Sequence, residues 1–496
     1  MTLLEAVTEA LAGVTTPGTF ATRQVVAADA LPLGVIGIGP ITLPVTAAAA
    51  RRLAKLARPA RYGRGTETLL DRRVRDTGEI GKAQLSIDAA RWRQTLDPQL
   101  ARIAHDLGLP EGSQVRAEVH NLLVYGPGQF FAPHQDSEKA DGMFGSLVVL
   151  LPSDARGGAL VIEHHDERVT YRGSADRTTL IAFYADCRHE VRPVTAGYRV
   201  ALTLNLFLGG TRTAAAPAGP SVDALTERIR AYFETDRPAR WGTDPSPDKP
   251  DRLVYLLDHQ YTQKGLGWAH LKTGDARRAA MLREVGARLD CEIVLALADI
   301  HEVWSCEDEG YGSRYGRRRR WDHFRRPEDE DEDEGDERSA DEHTLIELCD
   351  SSIELRHWLA PSGKQVRAIS GAVHDDEVCS TKATVELEPF KSEHEGYTGN
   401  AGNSVERWYH RAAVMLWPRA RTFTIRAKAS PAWALQELGK RLARGAADEA
   451  RTMVEQVRPF WSRVARADHG LAFLDRTLAD FGQGLDGAIE PRHVLR

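Results

Sequence analysis

Between Gln114 and Leu208 the chain runs through VRAEVHNLLVYG, FGSLVVLLP, GGALVIEHH, ERVTYRG, RTTLIAFYA and YRVALTLNLFL, short β-like segments cut by glycine, proline and aspartate. Short strands need partners on both sides, and a side-chain period of two gives each strand one face to bury. This spacing of strands and turns constrains the fold more than any other feature. It predicts an antiparallel sandwich or barrel.

The flanking sequence predicts helical support. Ile38–Val45 is an apolar β-like run ending at Thr46, a candidate N-cap for the helical TAAAARRLAKLA. A second helix is expected through Ile87–Leu107, stopped by Gly108 and Pro110. After Leu208, GGTRTAAAPAGPS lacks bulky apolar residues and reads as a linker, here bounded as 210–222. The expected organisation is thus a unit over 1–209 with its β core at about 115–208, then an α+β region over 223–496. In that second region LVYLLD, CEIVLALADIHEVWS, TLIELCDSSIELRHWL and YHRAAVMLWP are strand candidates, and helices are expected from about Ala432. One alternative for this region is a degenerate second β-helix without iron.

Composition places the chain among globular proteins, with 42% hydrophobic and 27% charged residues in a length of 496 that suits two domains. The net charge of −6 is mild, and nine carboxylates fall within 328–337 alone, beside Arg317–Arg320 and Arg325–Arg326. This block reads as a solvated, self-compensating insertion at about 309–342. Global charge therefore predicts neither a nucleic-acid nor a membrane partner. Cys187, Cys291, Cys306, Cys349 and Cys379 are scattered, with no CxxC pair, against a disulfide framework or zinc ribbon. The start MTLLEAVTEALAG lacks a basic n-region, so the expected compartment is the cytoplasm. Oligomeric state leaves no mark in the sequence.

The chemistry concentrates in VYGPGQFFAPHQDSEKADG and DCRHEVRPVTAGYRVALTL. His134 and Asp136 are two apart, so an extended strand sends both side chains to one face. His189 follows 53 positions after Asp136. Two imidazoles and one carboxylate can cap one face of an octahedral ion and leave three positions open, as in non-haem Fe(II) oxygenases. Zinc prefers four tetrahedral ligands, and no fourth candidate has a suitable spacing. In YRVALTLNL, Val200, Leu202, Leu204 and Leu206 would pack in the core, while Arg199, Ala201, Thr203 and Asn205 would line a pocket. A buried guanidinium requires an anion, and a dicarboxylic acid supplies one that its planar fork can grip.

On these residues the segment from Val115 to Leu208 resembles the catalytic domain of prolyl 4-hydroxylase-like 2-oxoglutarate/Fe(II) oxygenases. The features that carry the resemblance are Tyr125, the His134-x-Asp136 pair, Gly157-Gly158-x-Leu160, and the run from His189 through Val191, Pro193, Val194 and Gly197 to Arg199. It implies a double-stranded β-helix (jelly roll), the iron ligands His134, Asp136 and His189, and Arg199 as the anchor of the 2-oxoglutarate C5 carboxylate. Tyr125 resembles the family tyrosine that hydrogen-bonds the co-substrate, and Thr203 is placed to add a hydroxyl. The implied cofactors are Fe(II) with 2-oxoglutarate and O2 as co-substrates, and ascorbate as a candidate reductant. The implied reaction is hydroxylation of a C–H bond, in a protein side chain or a small molecule, with release of succinate and CO2. Asp136 stands where a halogenase would leave room for chloride, and RxNxTxR of nucleic-acid demethylases is missing after Arg199. The alternative is a non-catalytic 2-oxoglutarate sensor or scaffold built on the same barrel.

Other motifs compete. His164-His165-Asp166 is expected to be a surface turn, too close to His189 to wrap the intervening strands, and His374-Asp375-Asp376 with His410 lacks a following GYR-like strand. Tyr62–Ile80 is expected to border the substrate entrance, with Arg64 and Arg75 available to anionic groups, or to be a solvated loop. The segment DSEKADGMFG, from 136 to 145, is expected to be either a lid that orders over substrate or a long hairpin. Glu395–Pro418, with Trp408, Tyr409 and Trp417, reads as a glycine turn leading into a buried aromatic element rather than as a binding surface. Cys187 is expected to be a buried spectator thiol.

Overall fold

A computed structural model describes residues 2–14, 18–64, 67–136, 142–209, 219–236, 249–307, 343–366, 372–395 and 403–457. The expected insertion at 309–342, most of the linker, the start of the segment after Asp136, and the chain beyond 457 lie outside the described residues.

The β core folds as two facing sheets. Strands Ala21–Ala27, Arg177–Tyr184, Met143–Leu150, Arg199–Gly209, Gln114–Tyr125, Gly78–Gly81 and Arg58–Pro59 form the first, in that spatial order. Glu167–Tyr171, Leu160–His164, Arg188–Val191, Phe130–His134 and Arg75–Asp76 form the second. Every pairing within both sheets is antiparallel. From Gln114 onward the chain passes between the sheets so that strands distant in sequence become neighbours, which is the jelly-roll arrangement. One continuous apolar cluster runs through this unit, with Leu147, Val149, Leu202 and Leu204 sharing the face of the larger sheet opposite to the one that carries Ser146, Val148, Ala201 and Thr203.

Helix Ala89–Asp106 starts on Asp88, whose carboxylate accepts from the Ala90 and Arg91 amides, and buries Trp92, Leu96, Leu100 and Ile103. Thr46 caps helix Ala47–Leu56 through the Ala49 amide. Both helices match expectation. The apolar run Ile38–Val45 does not form the expected strand: it contributes only Gly39–Pro40 and a single bridge at Val45. Gly37 and Gly39 turn the backbone with φ of +89° and +90°, and Pro40 and Pro44 remove two ladder donors.

The second region carries one mixed sheet, ordered Ala372–Val373, Leu345–Leu359, Cys291–Cys306, Ser404–Pro418, Leu253–Gln260 and Val378–Ser380, with Lys391–Glu395 also on Ser404–Pro418. Among the described residues no second sheet faces it, so the degenerate second β-helix considered from sequence is not found. Helices occupy that place instead. Pro220–Glu234 and Thr273–Arg288 cover one face through Ile229, Tyr232, Met281 and Val285, and Trp358, Leu387 and Ile425 cover the other. Pro220–Glu234 begins inside the expected linker. Helices Pro431–Ala443 and Ala447–Val457 follow the sheet, as the sequence predicts. Tyr409 and Trp417 are buried in strand Ser404–Pro418, in line with the buried aromatic element expected there.

The first helix, Leu3–Ala12, departs from the expected boundary at 209. Its Thr2/Glu5 capping box fixes its start, but Val7 and Leu11 pack into the second region's core rather than the barrel's. Arg228 and Arg278 donate to its Ala6 and Leu11 carbonyls. Among the described residues no helix is long and apolar enough to cross a membrane.

Candidate metal and co-substrate site

Strands Phe130–His134 and Arg188–Val191 are neighbours in the smaller sheet, and their register sets His134 directly opposite His189. The ring centroids are 4.2 Å apart. Asp136 follows two residues later, with its carboxylate Oδ2 3.8 Å from His189 Nε2. The ligand atoms of His134, Asp136 and His189 all lie within 4.8 Å of one another, a spacing that a single ion can bridge.

The hydrogen bonds around the trio orient it. His134 Nδ1 lies 2.9 Å from the Ala132 carbonyl and His189 Nδ1 3.1 Å from the Cys187 carbonyl. A carbonyl only accepts, so both Nδ1 atoms carry the proton and both Nε2 lone pairs are left for an ion. Burial, and next the charge of His189, push the His134 pKa well below the usual imidazole range, against the opposing pull of Asp136. The neutral form that ligates is therefore favoured. Ser146 donates its hydroxyl to Asp136 Oδ2. Sequence reading missed Ser146; its signal is a hydroxyl inside the wholly buried run Met143–Leu150.

The same cavity contains Arg199, Tyr125, Asn121 and Thr203. Val200, Leu202, Leu204 and Leu206 are fully buried, while Arg199, Ala201, Thr203 and Asn205 line the cavity, the alternation read from the sequence. Arg199 pairs with Tyr125 across the larger sheet, and its guanidinium carbon sits 5.0 Å from the Tyr125 ring centroid. It is only 6% exposed, and its Nε and Nη2 have no hydrogen-bond partner among the described residues. Burial lowers the pKa of this guanidinium from its ordinary value, an unfavourable environment that an anion would relieve. Gly158 makes room for it: at φ +62°, a Cβ there would stand 2.8 Å from Arg199 Cδ. Thr203 directs its hydroxyl to Asn121 Oδ1 at 2.5 Å, so its proton is engaged within the wall.

Arg75 lies in the cavity wall, its guanidinium 4.4 Å from the Phe131 ring centroid. The Arg64 side chain lies outside the described residues. Cys187 is fully buried and its thiol pKa is pushed well up by burial, so it stays a neutral spectator.

The expectation of a surface turn at His164–Asp166 is corrected for its histidines. Asp166 is exposed, but His164 stacks on His259 of the second region, centroids 4.6 Å apart, and His165 faces Glu386 at 3.8 Å. The turn is covered because the second region docks on this edge. His164, Asp186 and His259 also converge within 4.8 Å, but this group is an ion network. Lys272 Nζ stands 3.1 Å from Asp186 Oδ1, and His259 places Nδ1 at 2.9 Å from Asp186 Oδ2 and Nε2 at 2.9 Å from Thr273 Oγ1. The Asp186 main-chain carbonyl in turn accepts from Gln135, the residue between His134 and Asp136. His374 and His410 form no such convergence among the described residues; His410 Nδ1 instead pairs with Asp299 at 2.7 Å.

Residues 120–207 match the model of the 2OG-Fe(II) oxygenase superfamily. A PKHD-type hydroxylase of Picosynechococcus sp. is 34% identical over 113 residues, 22% of this chain and 51% of the relative. The chain thus spans about half the length of that curated relative. Among solved structures, a Pseudomonas putida prolyl-4-hydroxylase shares 23% identity over 42% of this chain and 100% of its own, with a TM-score of 0.27. A Trichoplax adhaerens prolyl hydroxylase, solved with a hypoxia inducible factor peptide fragment, shares 16% over 41% of this chain and 89% of its own, at a TM-score of 0.25. The matched residues 120–207 carry the two histidines, the aspartate and the buried arginine.

Proposed function

We propose that the chain is a 2-oxoglutarate- and Fe(II)-dependent dioxygenase that hydroxylates a C–H bond of a protein side chain or a small molecule. The observation that carries this reading is a buried, unpaired guanidinium in the cavity where two imidazoles and a carboxylate converge. His134, Asp136 and His189 would hold the ion, and their donor set suits Fe(II) with positions left open. Bound there, Fe(II) with 2-oxoglutarate and O2 supplies the oxidising power, with succinate and CO2 as co-products.

The chain's own residues bind, orient and shield. Arg199 would meet the distal carboxylate with its two buried nitrogens that have no partner among the described residues, a charge-assisted contact. Tyr125 and Thr203 form the wall beside it. The Ala132 and Cys187 carbonyls hold the protons on both Nδ1 atoms, and Ser146 fixes one oxygen of Asp136. Leu160, Val191 and Val148 close the apolar side of the cavity against water.

A second cavity begins at Gln135 and Arg188 and is walled by Val385–Pro389 and Arg407 of the second region. It supports a role for that region in bordering the approach to the ion. The decisive assay is succinate formation from 2-oxoglutarate under air with Fe(II) and ascorbate. Turnover that disappears in His134→Ala supports the enzyme. Binding of Mn(II) and 2-oxoglutarate with no turnover, even with cell extract as a source of substrate, would make the chain a sensor instead.

A further inference from the structure

A second set of metal-ligating side chains lies at the far end of the second region's sheet. Cys306 ends strand Cys291–Cys306, His343 stands two residues before strand Leu345–Leu359, and His394 lies on strand Lys391–Glu395. Pairing of Cys306 with Leu345 and of His394 with Val405 brings these strands to one sheet end. The Cys306 thiol and one nitrogen of each imidazole all fall within 4.8 Å of one another.

Asn403 orders two of the three. Its side-chain oxygen lies 2.6 Å from His394 Nε2, and its main-chain carbonyl accepts from the Cys306 amide at 3.1 Å. An amide oxygen accepts only, so Nε2 of His394 carries the proton and Nδ1 keeps its lone pair. This is how a ligating histidine is usually held: one nitrogen to the metal, the other to a carbonyl. The rings of His343 and His394 stack at 3.9 Å. Cys306 is buried and forms no disulfide.

We propose that Cys306, His343 and His394 form a zinc site, separate from the oxygenase cavity and structural in role. A thiolate with two imidazoles is a soft-to-borderline donor set that favours Zn(II) over Fe(II), Mg(II) or Ca(II). Binding releases the thiol proton and leaves a fourth position for solvent or another side chain. The placement explains the need. Cys306 and His343 bracket 36 residues dominated by arginine and acidic side chains, with few apolar groups to hold the two ends together. Holding together two residues so far apart along the chain costs conformational entropy, which metal binding offsets.

The test uses the full chain loaded with Co(II), because a thiolate–Co(II) charge-transfer band in the near ultraviolet cannot arise from a site without sulfur. The band, and one equivalent of zinc by elemental analysis, are expected in the unaltered chain. Both persist in His134→Ala and in Cys349→Ser, and both are lost in Cys306→Ser. Asn403→Ala is expected to weaken zinc binding by about 10- to 100-fold while leaving the band's identity unchanged. If circular dichroism shows that Cys306→Ser does not fold, the unaltered chain, Cys349→Ser and Asn403→Ala decide. Absence of the band in the unaltered chain, its survival in folded Cys306→Ser, its loss in Cys349→Ser, or zinc affinity unchanged in Asn403→Ala overturns the site.

Discussion

Arg199 places a permanent positive charge where two of its buried nitrogens have no acceptor among the described residues. Removing it should cost 2-oxoglutarate about 2–5 kcal/mol of binding, roughly 30-fold or more in affinity. Arg199→Lys keeps the charge but loses the planar fork, so it should restore only part of the loss. Titration of the Mn(II)-loaded protein with 2-oxoglutarate checks both, and equal affinity in all three proteins would remove Arg199 from the site. Ser146 acts one bond further out. Ser146→Ala frees one oxygen of Asp136 and should weaken Mn(II) binding by about 10- to 100-fold with little change in melting temperature. Calorimetric titration distinguishes this from a general loss of stability. Ser146 and Arg199 also mark how far a sequence can be read at this scale. The arginine was legible because a charge on the pocket-facing side of an otherwise alternating strand needs a reason. The serine was not, because a small hydroxyl in an apolar strand is compatible with many environments.

Two glycines set the elements around that arginine. Gly197 turns the chain into strand Arg199–Gly209 at φ +71°, and a Cβ there would lie 1.9 Å from the Asp154 carbonyl oxygen. Gly158 has φ +62°, and its nearest neighbour is Arg199 itself. Both positions resist a side chain, with about 1–3 kcal/mol from the backbone conformation alone. Their effects should differ in kind. Gly197→Ala should lower stability in urea unfolding and leave 2-oxoglutarate affinity per folded molecule largely intact, whereas Gly158→Ala should lower both, because its Cβ displaces the guanidinium stem. The alternating strands and the capped helices were readable because period and capping are local properties. The run Ile38–Val45 misled because an apolar segment is equally compatible with a strand and with a buried loop, and here glycine and proline made it a loop.

At the scale of the molecule, the second region is joined through Asp186 to Gln135, the residue between His134 and Asp136. The Asp186 carboxylate takes bonds from His259, Gln260 and Lys272, while its main-chain carbonyl holds Gln135. Burial alone would raise the Asp186 pKa, but the charges of Lys272 and His259 outweigh it and hold the carboxyl well below the usual range. A depressed pKa means stability that is fully present above the unfolded value, near 3.9, and lost as pH falls through the folded one. Asp186→Asn, which strands a buried ammonium, should cost about 3–5 kcal/mol at neutral pH. The gap to the unaltered protein should narrow below about pH 4; a gap independent of pH would show that the carboxylate's charge does not matter. Ligand binding gives a second global readout. Mn(II) with 2-oxoglutarate at about 100 times its dissociation constant should stabilise the chain by about 2.7 kcal/mol, seen as a raised melting temperature, and Arg199→Ala should reduce that rise at the same ligand concentration.

The gathering of residues 134, 136, 189 and 199 around one cavity and the two-sheet core were legible in the sequence itself, since strand period, turn residues and the spacing of these side chains are written along the chain. The tertiary structure decided the rest. It stacked His164 on His259, moved the first helix into the second region's core, and gathered Cys306, His343 and His394 at one sheet end. Each of these depends on contacts between segments far apart in the chain, where no local period or motif records which surfaces will meet.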